Sequence, residues 1–398
     1  MAMGVVAQTI GVPANRASWW ERFVAPADPD RSCVVWHISP VIDMAAYHFS
    51  WVWMLVPLAV ASMLWRVPDY PGVNLNLYAL VIGVNLAHRH FGLPYAYFDE
   101  EVFHSYQRRL TWFPLSCIAL LAATPWLLDE DTGGAIGAGA VGAVVFFSVV
   151  WNLWHVFMQK FGILRLYMAK DSAPVERKTA AWVDKYFVLC WFPLYLSYLG
   201  PTYKDTILSR GQVVAPYTSV IIRFMEQYRA WLIAPSVLVA VGGVGVWLWY
   251  DWRAHKFQNH ARLSAATGTL MISTALFWAD PLKAFIAFGF SHAVEYITFV
   301  WAFQRRRYRR PQAEPSLMQR LLQHPKTWYT LLISTFATIG IMQVLGGRTI
   351  LTDAKPIDFF GITLRGWILY YAVYQSLVHF YLDGFLWKMR KLEVRANI

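Results

Sequence analysis

The sequence is poor in charge, since Asp, Glu, Lys and Arg make up only 15% of its 398 residues. A soluble domain of ordinary composition would carry roughly 25% charged residues. Hydrophobic residues make up 57% instead, and 21 Trp and 21 Tyr are typical of aromatic belts at membrane interfaces. These proportions indicate an integral membrane protein. The net charge of +11 then reflects basic cytoplasmic loops, and no nucleic-acid partner is expected.

Cysteine is also scarce, and Cys33, Cys117 and Cys190 are scattered along the chain. They form no CxxC motif, so the sequence offers neither a disulfide framework nor a thiolate metal site. The amino terminus lacks the basic start and apolar core of a secretory signal peptide. Flavin, nicotinamide and iron–sulfur motifs are missing as well, so any reductant would come from an external electron donor protein.

Long apolar runs are what the sequence has in abundance. Each is near the roughly 20 residues that a helix needs to cross the hydrocarbon core. We therefore predict an all-α, polytopic membrane bundle of about ten transmembrane helices, at 41–65, 74–96, 110–127, 134–159, 181–199, 229–250, 262–279, 284–303, 327–345 and 362–387. A tight hairpin at Asp280-Pro281 separates two of these runs, because proline disfavours helix at the preceding residue.

Three regions follow from this pattern. Residues 1–40 are predicted to form a cytosolic arm with a short interfacial helix at 19–24, and residues 41–387 the transmembrane domain. Residues 388–398 form a basic cytosolic tail. With ten helices, this tail and the basic loop 304–326 fall on the same side of the membrane. Because basic loops stay in the cytoplasm, both termini are predicted to be cytoplasmic, in a cell inner membrane.

Histidines recur near the predicted cytoplasmic ends of these helices. The stretch 85–109, NLAHRHFGLPYAYFDEEVFHSYQRR, holds three of them among acidic residues. Imidazoles and carboxylates inside a membrane cost free energy unless something binds them, and iron or zinc suits both. The candidate metal ligands are His48, His88, His90, His104, His155, His292, Glu295, His379 and Asp383. No catalytic residue is assigned beyond these ligands.

Two pairs sharpen this prediction. His292 and Glu295 are three residues apart, and His379 and Asp383 are four apart, so each pair shares one helix face. Helical bundles present ligands to paired irons with such spacings. Asp383 could instead orient a ligand histidine without binding the metal itself.

His88 and His90 pose a different problem, because side chains two residues apart diverge on a regular helix. Either the helix unwinds at Phe91-Gly92, or only one of the two histidines is a ligand. Four further histidines have no convergent partners in the sequence and are expected to be solvated in loops: His37, His255, His260 and His324.

The layout resembles that of histidine-rich integral membrane non-haem di-iron enzymes, such as fatty-acid desaturases, fatty-acid hydroxylases and alkane hydroxylases. The segments that carry the resemblance are HRHFG to FHSY, WHVFMQ, SHAVE and HFYLD. The chain departs from those families in lacking HxxxH and HxxHH boxes, and Glu295 and Asp383 are unusual for them. The resemblance implies two iron ions and the hydroxylation or desaturation of a membrane lipid or another hydrophobic small molecule.

Zinc is the alternative metal, and it would favour hydrolysis. We expect iron because the histidines outnumber the three protein ligands that are typical of catalytic zinc. Two other classes stay open: an ion- or proton-coupled transporter that uses intramembrane His, Glu and Asp, and a haem-binding electron carrier. The sequence shows no internal repeat of the kind that transporters often have. Carboxylates beside the histidines argue against haem.

Overall fold

The structure is a computed structural model, and it is helical almost throughout. A two-residue antiparallel pair, β1 (Asp358–Phe359) with β2 (Ile362–Thr363), is the exception among the residues described. The prediction of an all-α fold is thus confirmed. The predicted interfacial helix at 19–24 and most of the predicted span 74–96 lie outside the described residues, which are 36–65, 84–85, 87–128, 134–170, 177–197, 226–279, 281–308, 315–322, 324–346, 358–359, 362–388 and 394.

The helices follow one another with short connections. The first half of the chain contains α1 (Pro40–Asp43), a π-helical turn (Met44–His48), α2 (Val52–Trp65), α3 (Leu93–Phe98), α4 (Glu100–Leu128), α5 (Gly134–Lys170) and α6 (Arg177–Leu189). The second half contains α7 (Arg229–His255), α8 (His260–Trp278), α9 (Pro281–Arg307), α10 (Leu317–Leu322), α11 (Pro325–Gly346) and α12 (Leu364–Leu386).

Candidate membrane spans are present among the described residues, though fewer than ten. Helix α7 and the part of α9 from Ile286–Arg307 are long and apolar enough to cross a bilayer. The segments Pro40–His48 and Val52–Val60, bent by 61°, would form a third span if they act as one. Helices α4 and α5 extend past their predicted spans into charged sequence, so the count of ten is not confirmed.

A break between the two apolar runs is present as predicted, although Asp280 itself lies outside the described residues. Helix α8 ends at Trp278, Ala279 is extended, and α9 begins at Pro281. Helix α5 lies at the centre of the bundle, because it contacts α4, α6, α8, α9 and α12. The polar groups on α5, α9 and α12 are therefore brought close together.

A buried ion network joins the helices around α5. The Arg262 guanidinium is fully buried and pairs with Asp251 on α7 and Asp184 on α6. It also lies over the Trp247 ring, 4.6 Å from the centroid, and the Trp247 indole donates to Asp184 at 3.0 Å. Since each buried charge has an opposite partner, the network fixes α6, α7 and α8 against one another.

Candidate metal centre

Four imidazoles from four separate segments meet inside the bundle. His155 comes from α5, His292 from α9 and His379 from α12, while His88 precedes the turn 89–92. Ring centroids of His88 lie 4.7 Å from His292 and 4.8 Å from His379. Those of His155 lie 4.9 Å from the same two rings. Each of the four rings therefore lies beside two of the others.

The distances between the four imidazole rings fit a single bound metal ion. Ligand nitrogens of His88, His292 and His379 lie within 4.8 Å of one another. The ring centroids of His292 and His379, on opposite corners, are 6.4 Å apart. A metal–nitrogen bond of about 2.1 Å, plus about 1.1 Å from nitrogen to ring centre, would separate two opposed ligand rings by about 6.4 Å. One ion at the centre therefore matches the observed spacing.

The four rings also lack the hydrogen bonds expected of core histidines. Among the described residues, no hydrogen bond of normal geometry is made by Nδ1 or Nε2 of His292, or by Nε2 of His88, His155 and His379. All four rings are buried, with exposed fractions between 1% and 9%. Buried polar atoms are nearly always paired, so four neighbouring rings that each offer an unbonded nitrogen indicate a ligand.

Asp383 completes the cluster from one turn beyond His379 on α12. Its Oδ2 atom lies 3.4 Å from His155 Nε2 and 3.6 Å from His379 Nε2. The other oxygen, Oδ1, accepts hydrogen bonds from the Tyr296 hydroxyl at 2.9 Å and the Trp387 indole at 3.0 Å. The two donors hold the carboxylate so that Oδ2 faces the histidines.

Glu295 is placed differently from what its spacing to His292 suggested. Its carboxylate pairs with the Lys160 ammonium and also accepts from Ser291 at 2.8 Å and Gln159 at 3.0 Å. Gln159 donates a second bond, at 2.8 Å, to the backbone oxygen of His292. Glu295 therefore pairs with the Lys160 ammonium beside the cluster and does not lie among the imidazoles, contrary to the prediction.

Three other predicted ligands lie away from the cluster. His48 Nε2 meets the Tyr167 hydroxyl at 2.9 Å, and His48 Nδ1 meets Ser264 at 2.8 Å. His90 Nε2 lies 2.7 Å from the Tyr371 hydroxyl, and His104 is exposed. Sequence spacing could not separate these from true members of the cluster, because side-chain direction depends on local backbone geometry.

Regular helix is interrupted at residues 89–92, which include Phe91-Gly92, where unwinding was one of the two alternatives for His88 and His90. Residues 89–92 form a turn in which the His90 and Phe91 amides bond three residues back, at 3.0 Å each. The turn brings Gly92 against the Tyr296 side chain, since a Cβ at Gly92 would lie 2.6 Å from the hydroxyl oxygen. Gly92 therefore allows Tyr296 to stay where it contacts Asp383.

The histidines expected in loops divide into two groups. His260 and His324 are exposed, as predicted. The prediction was wrong for His37 and His255, which are buried. His37 was misplaced because its ring contacts residues far along the chain, stacking on Phe299 with centroids 6.0 Å apart.

The acidic residues of the 85–109 stretch stabilise a helix junction instead of facing the histidines. Asp99 accepts from the Val102 amide at 3.1 Å and from Arg307 Nε at 2.9 Å. Glu101 pairs with the same guanidinium at 3.0 Å. Burial, and next the adjacent Asp99 carboxylate, raise the pKa of Tyr308 above its ordinary value, so this hydroxyl stays a donor.

Sequence reasoning missed two groups that shape the site. Trp387, which orients Asp383, lies beyond α12 and resembles an ordinary interfacial aromatic. Its spacing of four residues from Asp383 was the available signal. Lys160 lies one residue beyond the predicted span 134–159, where a basic residue is typical of a cytoplasmic loop.

The chain matches no protein-family model, and no curated protein and no solved structure is similar to it. The layout shared with membrane di-iron enzymes therefore stays an expectation, and function must be argued from the cluster itself.

Proposed function

We propose that this chain is an integral membrane, metal-dependent oxidoreductase that binds iron through His88, His155, His292, His379 and Asp383. The observation that carries the proposal is the set of four neighbouring, buried imidazoles that each offer an unbonded nitrogen. Neutral imidazole together with carboxylate suits iron, and four histidines exceed the usual zinc set. The reaction proposed is hydroxylation or desaturation of a lipid-like substrate at the cytoplasmic leaflet.

The protein's own groups would position the ligands and keep the site dry. Tyr296 and Trp387 fix the Asp383 carboxylate, and Gln159 fixes the α9 backbone at His292. Lys160 neutralises Glu295, which leaves Asp383 as the carboxylate that faces the imidazoles. Iron, when bound, supplies the one-electron and oxygen chemistry that these side chains lack. Electrons would come from a separate donor protein.

The ring arrangement favours this proposal over a haem carrier. The ring centroids of His292 and His379 are 6.4 Å apart, and the rings of His88 and His155 each lie within 4.9 Å of both. A porphyrin held by two histidines would need the space between them, which these rings already fill. A transporter with intramembrane His, Glu and Asp stays the second candidate, and metal retention separates the two.

The metal stoichiometry follows from the same geometry. The four imidazoles surround one point, while His155, His379 and Asp383 form an overlapping second group within 4.8 Å. One ion is accommodated directly, and a second would have to share both His155 and His379. Iron per protein, measured on the purified chain, decides between one ion and the two that the layout resemblance implies.

We further propose the ten-helix topology, with both termini cytoplasmic in a cell inner membrane. A reporter fused after Ile398 is expected to be active only in its cytoplasmic form. Basic residues in the tail should hold it there by the positive-inside rule. A signal from the opposite side of the membrane would contradict the orientation.

Asp383→Asn is expected to release iron. The substitution keeps an oxygen for Tyr296 and Trp387 but removes the negative charge beside two histidine nitrogens. Iron per protein should fall to background in the purified variant. Asp99→Asn is the matched control, since Asp99 is also a buried acid but pairs with Arg307.

The size of the loss identifies the role of Asp383. Affinity lowered only about 10- to 100-fold would show that the carboxylate orients a ligand histidine without binding the metal. Unchanged iron affinity would contradict both roles.

A further inference from the structure

A buried amide without partners lies one helical turn before His379. Gln375 is only 5% exposed, and neither Nε2 nor Oε1 has a hydrogen-bond partner among the described residues. Leaving a buried amide unpaired is costly, so such a group in a native structure calls for an explanation. Other buried amides in this chain are bonded; Gln304 Oε1, for example, accepts from Tyr329 at 2.6 Å.

Residues 88–90 pack across the face of α12 on which Gln375 lies. His90 contacts Tyr371, four residues before Gln375, at 2.7 Å. The His88 ring is 4.8 Å from His379, four residues after it. Since residues four apart share a helix face, Gln375 lies between these two contacts. Its amide is therefore enclosed next to the imidazole cluster.

A positive charge accompanies this amide. Arg89 lies between the two anchoring histidines and donates through Nη1 to the hydroxyl of Ser376, the residue after Gln375. Because His90 contacts Tyr371 and His88 contacts His379, Arg89 packs against the part of α12 between them, which carries Gln375 and Ser376. Donors of this kind, one of them charged, suit a carboxylate, because charge-assisted hydrogen bonds are the stronger ones.

The two acids nearest the cluster are already engaged. Glu295 is bonded by Lys160, and Asp383 by Tyr296 and Trp387. Among the described residues neither acid is available to accept from the Gln375 amide, and a bound ligand would supply an acceptor.

We propose that Gln375 and Arg89 form a carboxylate-binding subsite beside the imidazole cluster. This proposal rests on the proposed function, because it places the carboxylate of a ligand next to the residues proposed to bind iron. The ligand is either a long-chain acid that enters from the bilayer or a small organic acid that enters from water. Both present the same group to the subsite, and binding measurements distinguish them.

The test measures binding of radiolabelled oleate, oleyl alcohol and pyruvate to the full chain in nanodiscs, with and without iron. We expect a carboxylate to bind and oleyl alcohol to bind at least about tenfold more weakly, as a lost charged hydrogen bond implies. Gln375→Leu should weaken carboxylate binding by a similar factor. Gln375→Glu, which sets a carboxylate against the ligand, should weaken it at least as much.

Gln304→Leu is the matched control. It removes a buried amide that is bonded within the protein, so it should leave carboxylate binding unchanged and lower the thermal unfolding midpoint. Gln375→Leu should leave the ligand-free midpoint unchanged or raise it, because the lost amide has no partner to leave unsatisfied. A purely structural role for Gln375 predicts the opposite sign, a lower midpoint.

The outcomes separate this proposal from the metal proposal. Oleate binding alone identifies a bilayer ligand, and pyruvate binding with the same dependence on Gln375 identifies a small acid. Equal binding of oleate and oleyl alcohol without pyruvate binding, no carboxylate binding at all, or unchanged carboxylate binding in Gln375→Leu would overturn the subsite. Carboxylate binding that depends on Gln375 in a protein that retains no iron would leave the subsite standing and remove the proposed function.

Discussion

His379→Ala and His292→Ala are each expected to abolish iron retention, while His324→Ala retains the wild-type amount. The first two rings occupy opposite corners of the imidazole cluster, and His324 is exposed in a basic segment. Removing either imidazole takes one ligand from the ion, and the other helices cannot replace it. The measurement is iron and zinc per protein in the three variants, purified in parallel with the wild type.

Two results would contradict the metal proposal. One is equal metal in the wild type and in both corner variants. The other is a wild type that holds no metal after anaerobic reconstitution with ferrous iron. In either case the intramembrane His, Glu and Asp side chains would fit a transporter better, because such groups also bind ions or relay protons.

Lys160→Met is expected to lower the free energy of unfolding by about 3–5 kcal/mol, the usual cost of leaving a buried charge without its partner. Both side chains of the Lys160–Glu295 pair are almost fully buried, at 1% and 0% exposure. Gln159 and Ser291 still donate to the Glu295 carboxylate, but neither carries a charge. Denaturant or thermal unfolding in detergent measures the loss.

A second substitution tests the cause. Glu295→Gln, added to Lys160→Met, removes the unpaired charge and should recover most of the lost stability. Lys326→Met is the control, because Lys326 is exposed and its loss should change the unfolding midpoint little. A double variant no more stable than Lys160→Met alone would show that the loss comes from packing instead of charge.

Local sequence patterns predicted much of what surrounds the cluster. The break at Asp280-Pro281 and the unwinding near Gly92 both follow from how proline and glycine restrict or release the backbone. The spacing of His379 and Asp383 placed both on one face of α12, as the structure shows. These predictions succeed because each depends only on neighbours within one or two helical turns.

Residue spacing in the sequence did not predict the metal ligands correctly where a residue far along the chain binds the same side chain. His292 and Glu295 share one helix, yet Glu295 pairs with Lys160, which lies 135 residues earlier. His88 and His90 are equally plausible ligands in sequence, but Tyr371 engages His90 while His88 joins the cluster. No local pattern indicates which helix will supply the partner.

The sequence by itself determined an apolar, all-helical chain with histidines that could converge, because composition and periodicity fix helices and their faces. Only the tertiary structure decided which rings meet: His88, His155, His292 and His379, joined by Asp383. It also decided that Glu295 is neutralised and that Gln375 is left unpaired. The physical reason is that helix packing selects among side chains with equal local propensity, and hydrogen bonds across helices then separate the bonded residues from the unbonded ones.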